Sequence, residues 1–353
     1  MTTAYINRIA TAVPPHDVHA LFQNFVCTVL AEDQNKLALF RRMTKRSDIE
    51  HRFSCLGPDD LLFNGEPGAP FYTRGAFPTT KTRMQRYQQD APVLAEQAIA
   101  RLGIDATRIS HLIVTSCTGF SAPGVDLELV QQCGLSPSVE RTIVGFMGCY
   151  AAIPALKLAR HIVRSEPSAC VLVVNIELCT LHLQDCSELE QALLFLLFSD
   201  GCAASIVSAE PEGIALDDFH STFIPNTSDL MTWSVRDFGF DMVLSGQIPA
   251  VLQSALQSNH DEVLGGRAPA EVDLWAVHSG GRTVLDAVER AFHLPTTALS
   301  LSRETLRRYG NMSSPTVMFV LRQMLQQARS GVGCAMAFGP GLVAESMMFR
   351  MAA

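Results

Sequence analysis

The stretch GFMGCYAAIPALKLARHIV, residues 145–163, places one cysteine between a glycine and a run of helical periodicity. Its apolar residues recur with a period of about 3.6, which predicts a helix over 150–165. Short apolar runs precede and follow it, HLIVTS at 111–116 and VLVVNIEL at 171–178, and these are typical of buried strands. The stretch is therefore predicted to be the helical part of an α/β arrangement with covered strands.

The same alternation continues along the chain. Further strands are predicted at CAASIVSA (202–209), DLWAVH (273–278) and VGCAMAF (332–338), and further helices near 88–103, 242–258, 282–292 and 314–328. Strands that are continuous apolar runs indicate an α/β fold whose sheets are covered on both faces.

The composition indicates a large core and excludes several functions. The chain has 353 residues, 48% of them hydrophobic, and a formal net charge of −8, which argues against nucleic-acid binding. Apolar runs such as ALLFLLF at 192–198 are too short for a membrane span, and the N-terminus lacks a signal-peptide pattern, so a soluble cytoplasmic protein is predicted. The ten cysteines form no CxxC pair and no cluster at zinc spacing, which predicts reduced thiols and no metal.

A repeated spacing indicates an internal duplication. From the first residue of HLIV to Cys149 is 38 positions, and from the first residue of DLWAV to Asn311 is again 38. The next strands, ACVLVV and GVGCAMAF, begin 20 positions after Cys149 and Asn311. An offset of 162 residues thus superimposes a strand, a helix start and a second strand, and it makes Cys149 and Asn311 equivalent positions.

Cys149 has two interpretations. Most free cysteines are buried and inert, and this one fits that description. At a helix N-terminus, however, partial positive charge favours a thiolate, and Gly145 and Gly148 permit a tight bend and close approach of a substrate. A thiolate nucleophile needs a proton acceptor, and the candidate is His278 in LWAVHSGG, where the alternative is a hydrogen-bonded histidine that ends a strand.

Asn311, in YGNMSS, also has two interpretations. It precedes a predicted helix, so an N-cap is the simpler one. The duplication instead places it opposite Cys149, where its amide and an imidazole N–H of His278 would stabilise an oxyanion. The three residues together form a Cys/His/Asn set.

In this order and spacing the motifs resemble those of the type III polyketide synthases, the chalcone synthase-like family of the thiolase superfamily, and of its bacterial members. The resemblance covers nearly the whole chain through GFMGCYAA, WAVHSGG, YGNMSSP, AFGPGLVAES, RSDIEHRF, SAPGVD and FSDGCAA. It implies a thiolase-like, duplicated αβαβα five-layer fold with two pseudo-symmetric halves. Residues 1–212 would form the half with the nucleophilic cysteine, and 213–353 the half with the histidine and asparagine.

The resemblance also implies the chemistry. The protein would be an acyltransferase of secondary metabolite biosynthesis that condenses malonyl-CoA, with decarboxylation, onto an acyl-CoA starter and then cyclises the product. It would act as a homodimer and need no cofactor. Cys149 would hold the acyl group, while His278 and Asn311 would stabilise the enolate, with an imidazolium keeping the thiolate deprotonated at rest.

Small residues at cavity positions favour a medium- or long-chain acyl starter and an alkylpyrone or alkylresorcinol product. Three alternatives stay open: a synthase of a small phenolic ring that uses malonyl-CoA alone, a ketoacyl synthase III that primes fatty-acid synthesis, and a silent subunit kept for interaction.

Binding residues are carried over from the same resemblance. The substrate-binding set comprises the gatekeepers Phe198 and Phe240, the cavity residues Thr118, Ala122, Cys179 and His182, and the loop residues Gly339 and Pro340. The CoA-binding set comprises Arg42, Arg46 and Gly280, with Leu39 standing where the family has a third basic residue. On their own, Phe198 is equally typical of core packing, and the basic run 40–47 of a solvated helix face.

Overall fold

Strands and helices alternate along the chain in a computed structural model, which describes residues 2–61, 71–185, 188–327 and 329–351. The helices are α1 (His19–Val29), α2 (Gln34–Ser47), α3 (Thr80–Ala100), α4 (Val125–Gln132), α5 (Ala152–Ser165), α6 (Leu189–Leu197), α7 (Ile248–Ser258), α8 (His260–Val263), α9 (Arg282–Ala291), α10 (Ser300–Tyr309) and α11 (Pro315–Gln326). The strands are β1 (Ala4–Ala12), β2 (His16–Asp17), β3 (Phe53–Ser54), β4 (His111–Ser116), β5 (Glu140–Gly145), β6 (Val171–Leu178), β7 (Asp200–Ser208), β8 (Ile214–Phe223), β9 (Met231–Arg236), β10 (Gly239–Leu244), β11 (Leu274–Val277), β12 (Gly331–Gly339) and β13 (Val343–Met351). The predicted α/β class is confirmed.

The sheet repeats one pattern of strand pairing twice. Nine strands follow the order β11-β12-β13-β8-β1-β7-β6-β4-β5. In one half β4 and β6 are parallel, and β7 and β1 follow antiparallel; in the other half β11 and β12 are parallel, and β13 and β8 follow antiparallel. The halves join through β1 and β8, where residues 4–6 pair with 214–216. Two pseudo-symmetric halves are therefore confirmed.

Helices α5 and α11 lie between the two halves of the sheet. Each contacts strands of both halves, α5 through β6 and β13 among others, and α11 through β7 and β12. Helix α3 covers the outer side of β6 and β7, while α7, α9 and α10 form the outer layer beyond β11. Side chains of β11 alternate accordingly, since Leu274 and Ala276 belong to the central core and Trp275 to the outer one. Burial on both faces explains why these strands are apolar throughout.

One predicted helix, near 242–258, is wrong in its first part. Residues 239–244 form β10, and α7 begins only at Ile248. Phe240 and Met242 are buried while Val243 is exposed, which is the period-two pattern of a strand. The apolar run was long enough for a helix, but pairing with β9 decided its conformation.

The other predicted helices are confirmed with shifted ends. The one near 88–103 begins earlier, at Thr80, because the Thr79 side chain caps it by accepting a hydrogen bond from the Thr82 N–H. The last residue of the one near 314–328 lies outside the described residues. None of the helices in the described ranges has the length and apolar character that a bilayer crossing requires.

Candidate active site

Cys149 lies in a short 3₁₀ turn, Gly148–Tyr150, between β5 and α5. Gly148 has a φ of 72°, and a Cβ there would overlap the ring of Pro340. A Cβ on Gly339 would lie 3.3 Å from the backbone nitrogen of Cys149. The turn after β12 therefore packs directly against the turn that holds the thiol, and these glycines are needed for the close approach.

The side chains of Asn311 and Ser313 are polar neighbours of the Cys149 thiol and favour its ionised form. The Asn311 carboxamide is oriented by the backbone, because its Oδ1 accepts a bond from the Ser313 N–H at 2.8 Å and its Nδ2 donates to the Gly280 carbonyl at 3.3 Å. Ser313 has a φ of 59°, which few residues other than glycine adopt. Such backbone strain is common at functional sites.

The backbone of Asn311 also forms an isolated β-bridge with Phe198. Its N–H donates to the Leu197 carbonyl at 2.8 Å, and its own carbonyl accepts from the Ser199 N–H at 2.9 Å. The predicted gatekeeper Phe198 and the predicted oxyanion donor Asn311 are therefore fixed to each other through the main chain.

His278 follows β11 and is almost fully buried. Its backbone N–H donates a hydrogen bond to the Met336 carbonyl at 2.7 Å. Both nitrogens of its ring, in contrast, lack a hydrogen-bond partner among the described residues. Gly280 connects it to Asn311, since a Cβ on Gly280 would lie 3.4 Å from the imidazole and its carbonyl receives the Asn311 amide. Buried polar groups are normally satisfied, so two unpartnered ring nitrogens single out His278 as a candidate functional residue.

Burial acts against one sequence-based expectation, a resting thiolate paired with an imidazolium. Burial raises the pKa of the Cys149 thiol to about 11, although the Ser313 and Asn311 side chains act in the opposite direction. Burial also lowers the pKa of His278 to about 3. Burial therefore favours the neutral form of each group taken alone, because the protein interior opposes isolated charge and the 3₁₀ turn separates Cys149 from the start of α5.

A cavity opens beside the thiol, with ≈ 620 Å³ of atom-free space including its mouth. Cys149 lines it, together with the predicted residues Thr118, Cys179, His182, Phe198, Phe240 and Pro340. Ala122, Gly339, His278 and Asn311 are not among the described residues of its wall. The structure thus brings most predicted substrate residues together, with Asn311 close to the nucleophile and His278 linked to Asn311 through Gly280.

Sequence reasoning missed several residues of this cavity. Cys117, Trp233, Met242 and Ser313 line it, as do three apolar residues from or near α6, Leu183, Leu194 and Phe195. Most of these carry no local signal, because an apolar residue in an apolar run does not reveal which space it faces.

Glu177 was also missed, although a signal existed, since it is the one acid in the apolar run VLVVNIEL. It is fully buried and accepts hydrogen bonds from the Cys117 N–H, the Thr118 hydroxyl and the Ser314 hydroxyl at 2.8–2.9 Å. Burial raises its pKa to about 7 despite these bonds. A buried acid with a raised pKa therefore links the two halves of the protein close to the thiol.

Replacing Glu177 by glutamine is expected to stabilise the protein above pH 7. In the unfolded chain the carboxyl loses its proton near the ordinary value of 4.5, whereas in the folded protein it keeps it up to about 7. Stability therefore falls as pH rises through this window, by about 3 kcal/mol, and E177Q removes that loss because an amide does not ionise. Denaturant unfolding of both proteins between pH 4.5 and 8 measures the difference.

Exposed Glu96 on α3 supplies the matched control, and E96Q should leave the pH dependence of stability as it is in the wild type. An ionised Glu177 also opposes ionisation of Cys149, so E177Q should move alkylation of the thiol to lower pH. Equal pH dependence of unfolding in E177Q and wild type would contradict the raised pKa.

The predicted CoA residues lie outside this cavity. Arg42 and Arg46 are exposed on α2, and their four-residue spacing puts them on one face, while Leu39 is half-buried. The guanidinium of Arg282, at the start of α9, donates to the Arg46 carbonyl at 3.4 Å. This contact brings the end of α2 beside the Gly280 segment, and it adds Arg282 as a further cation that sequence reasoning missed.

Comparisons with known proteins agree over the full length. The family model for chalcone and stilbene synthases, N-terminal domain, matches residues 2–211, and the model for the C-terminal domain matches 216–353. A Mycobacterium tuberculosis protein described as alpha-pyrone synthesis polyketide synthase-like Pks18 is 33% identical, over 99% of this chain and 91% of its own. The bisdemethoxycurcumin synthase of Oryza sativa subsp. japonica is also 33% identical, over 98% of this chain and 92% of its own.

Solved structures show the same fold. The C-terminal type III polyketide synthase domain of Steely1 from Dictyostelium superimposes with a TM-score of 0.89 at 24% identity, covering 99% of this chain and 100% of the other. PKS-I of the brown alga Ectocarpus siliculosus superimposes with a TM-score of 0.85 at 28% identity, covering 100% and 99%.

Proposed function

The chain belongs to the chalcone and stilbene synthase family and is a type III polyketide synthase, an acyltransferase, and from this premise we propose that it extends a medium- or long-chain acyl-CoA starter with malonyl-CoA units to an alkylpyrone or alkylresorcinol. The observation that carries the proposal is the cavity beside Cys149, whose wall toward α6 includes Leu194 and Phe195 together with the polar Gln191. Each methylene of an acyl chain buried there contributes about 0.8 kcal/mol. The description of Pks18, an α-pyrone synthesis protein, supports the same product class.

In the first step Cys149 takes the starter acyl group. Neutral His278 accepts the thiol proton as the sulfur attacks the thioester carbonyl, so charge develops only when the substrate is present. The C–S bond to CoA then breaks, and CoA leaves as a thiol with the proton from the imidazolium. The free ring nitrogens of His278 support this role, because no described residue competes for them.

In the second step malonyl-CoA loses carbon dioxide, and the electron pair of the broken C–C bond enters the thioester as an enolate. An imidazole N–H of His278 and the Nδ2–H of Asn311 would donate to the enolate oxygen. The bond that Asn311 now makes to the Gly280 carbonyl is long, at 3.3 Å, so redirecting the donor costs little.

In the third step the enolate carbon attacks the acyl carbonyl on Cys149. A new C–C bond forms, the C–S bond breaks, and the sulfur leaves as a thiolate that can accept the lengthened chain again. Phe198 and Phe240 at the cavity wall would exclude water during these transfers, which protects the acyl thioester from hydrolysis.

For the coenzyme we propose a site at the end of α2. Arg42 and Arg46 would contact CoA phosphates, and Arg282 reinforces the positive charge beside the Gly280 segment. Exposed cations that share one helix face suit a phosphate group, since they hold it without burying charge.

We also propose that two copies form a homodimer across β5. Among the described residues this strand pairs only with β4, and it leaves a free sheet edge. Phe120, Ile143 and Phe146 beside it are each at least 41% exposed, and the two phenylalanine rings lie 5.9 Å apart. A second copy would cover both the edge and this apolar patch.

The starter proposal is tested by mass spectrometry of products formed from malonyl-CoA and a panel of acyl-CoAs of increasing chain length. We expect kcat/KM to rise by at least about tenfold from acetyl-CoA to medium or long chains, because each added methylene is buried. Product formation from malonyl-CoA alone, without preference for any acyl starter, would contradict the proposal and favour the small phenolic ring.

Cys179→Leu provides a matched variant for this panel. Cys179 lines the cavity next to Phe198 and Met242, and a larger side chain there fills space without removing a hydrogen bond of Thr118. We expect long starters to lose kcat/KM while acetyl-CoA retains it in the same protein.

A further inference from the structure

We propose that His182 is a positioning residue, which fastens the hairpin of β9 and β10, and Phe240 within it, to the loop Cys117-Thr118 beside the nucleophile. This assignment deepens the proposed function and rests on it for the role of Phe240. The hydrogen bonds of His182 that support the proposal are observed whether or not the protein has the proposed activity. They give His182 a structural role in the cavity wall and leave it no role as a general acid or base for the substrate.

Both ring nitrogens of His182 are occupied by backbone groups whose roles cannot change. Nε2 lies 2.6 Å from the Thr118 carbonyl, which only accepts, so Nε2 carries the proton. Nδ1 lies 3.0 Å from the Phe240 N–H, which only donates, so Nδ1 is the acceptor. The two bonds select one neutral tautomer, and neither nitrogen is left for proton transfer to a substrate.

Ring packing reinforces the same connection. The imidazole stacks on Phe240 with centroids 4.0 Å apart and planes at 13°, and it meets Trp233 edge to face at 5.4 Å. Protonation would break the bond from the Phe240 N–H, and burial together with the charge of Arg83 lowers the pKa of His182 to about 3. The connection therefore persists across the physiological pH range.

The segment that holds His182 is itself fixed. It is a 3₁₀ turn, Cys179–His182, that directly follows β6. The fully buried guanidinium of Arg83 donates to the carbonyls of Leu181 and Leu183, on either side of His182, at 2.7 and 2.8 Å. His182 thus projects from a rigid base to two separate parts of the cavity wall.

A second bond joins the hairpin to the same loop. Trp233 Nε1 donates to the Cys117 carbonyl at 2.7 Å, one residue before the carbonyl that His182 uses. The Gly148 N–H, next to Cys149, donates to the Cys117 sulfur at 2.8 Å. Hairpin, loop and nucleophile are therefore connected in series, so the position of Phe240 relative to Cys149 depends on the two connections.

Three variants separate the two bonds of His182. Asparagine places its oxygen near Nδ1 and retains the acceptor for Phe240, whereas glutamine places its amide near Nε2 and retains the donor to Thr118. Phenylalanine keeps the stacking ring and loses both bonds. We expect hydrogen–deuterium exchange in residues 231–244 to accelerate at least about tenfold in H182F, and by less in H182N and H182Q, with residues 171–178 unchanged.

Spectroscopy of the wild type supplies a direct readout of the imidazole ring of His182. In ¹⁵N-histidine protein, with the assignment taken from H182N, one imidazole should show the Nε2–H tautomer and no titration between pH 8 and 5. A midpoint near 6.5, an Nδ1–H tautomer, or unaltered hairpin exchange in all three variants would overturn the proposal.

The enzymatic readout is the fate of the acyl group on Cys149. With a hairpin that opens more often, H182F should divert acyl-enzyme from extension to hydrolysis, and H182N should restore part of the extension. If the wild type made no polyketide, the proposed function would be wrong. The hydrogen-exchange and tautomer results would still test whether His182 holds the hairpin.

Discussion

Cys149→Ala is expected to lower polyketide formation by at least about 10³-fold, because no other described thiol has the Asn311 and Ser313 side chains against its sulfur. Decarboxylation of malonyl-CoA should persist, since it requires donors to the enolate and not the sulfur. Product yield by mass spectrometry and carbon dioxide release, measured on the same sample, separate the two steps.

The matched control is Cys133→Ala, which removes a half-buried thiol at the end of α4, outside the cavity. It should retain wild-type product formation. Cys117 and Cys179 line the same cavity as Cys149, so condensation that survived in C149A would direct attention to those thiols and contradict the assignment of the nucleophile.

His278→Ala is expected to abolish both steps, with losses of about 10²- to 10⁴-fold in decarboxylation as well as in condensation. The imidazole is the proposed acceptor of the Cys149 proton and a donor to the enolate. Its removal should therefore slow both condensation and decarboxylation, whereas C149A should slow condensation alone. H278Q keeps one amide donor and should recover part of the decarboxylation but little acyl transfer.

The pH dependence gives a second measure of His278. Because burial lowers its pKa to about 3, the neutral ring is present throughout the working range, and kcat/KM should show no loss from its protonation on lowering pH from 8 to 6. An exposed histidine, His260 on α8, serves as control, and H260Q should be fully active. Wild-type decarboxylation in H278A would refute the proposed role.

Local pattern was sufficient for much of the fold. The runs HLIVTS and VLVVNIEL coincide with β4 and β6, because strands buried on both faces are mostly apolar along their length and do not alternate with exposed polar residues. The repeated spacing from strand to helix start reappears as the repeated pairing of β4, β6, β7 and β11, β12, β13. The start of the helix predicted near 242–258 was wrong, since residues 242–244 pair with β9, which a local window does not contain.

The sequence predicted the catalytic motifs, the cavity residues and the protonation states of the site to different extents. Motifs around Cys149, His278 and Asn311 are specific because a glycine-lined approach constrains the residues on either side. Most predicted cavity residues do line one space, yet their neighbours Trp233 and Met242 had no signal, because facing that space depends on how the hairpin folds back. Protonation states were beyond reach altogether.

The sequence by itself determined the alternation of elements, the duplication and the family, since these depend on local pattern and on motif order. Only the tertiary structure decided that burial opposes charge on both Cys149 and His278, that Glu177 is a buried acid near the thiol, and that His182 joins the hairpin to the loop. The physical reason is that burial and hydrogen-bond partners come from segments far apart in the chain, and these set the charge and orientation of a side chain more than its own neighbours do.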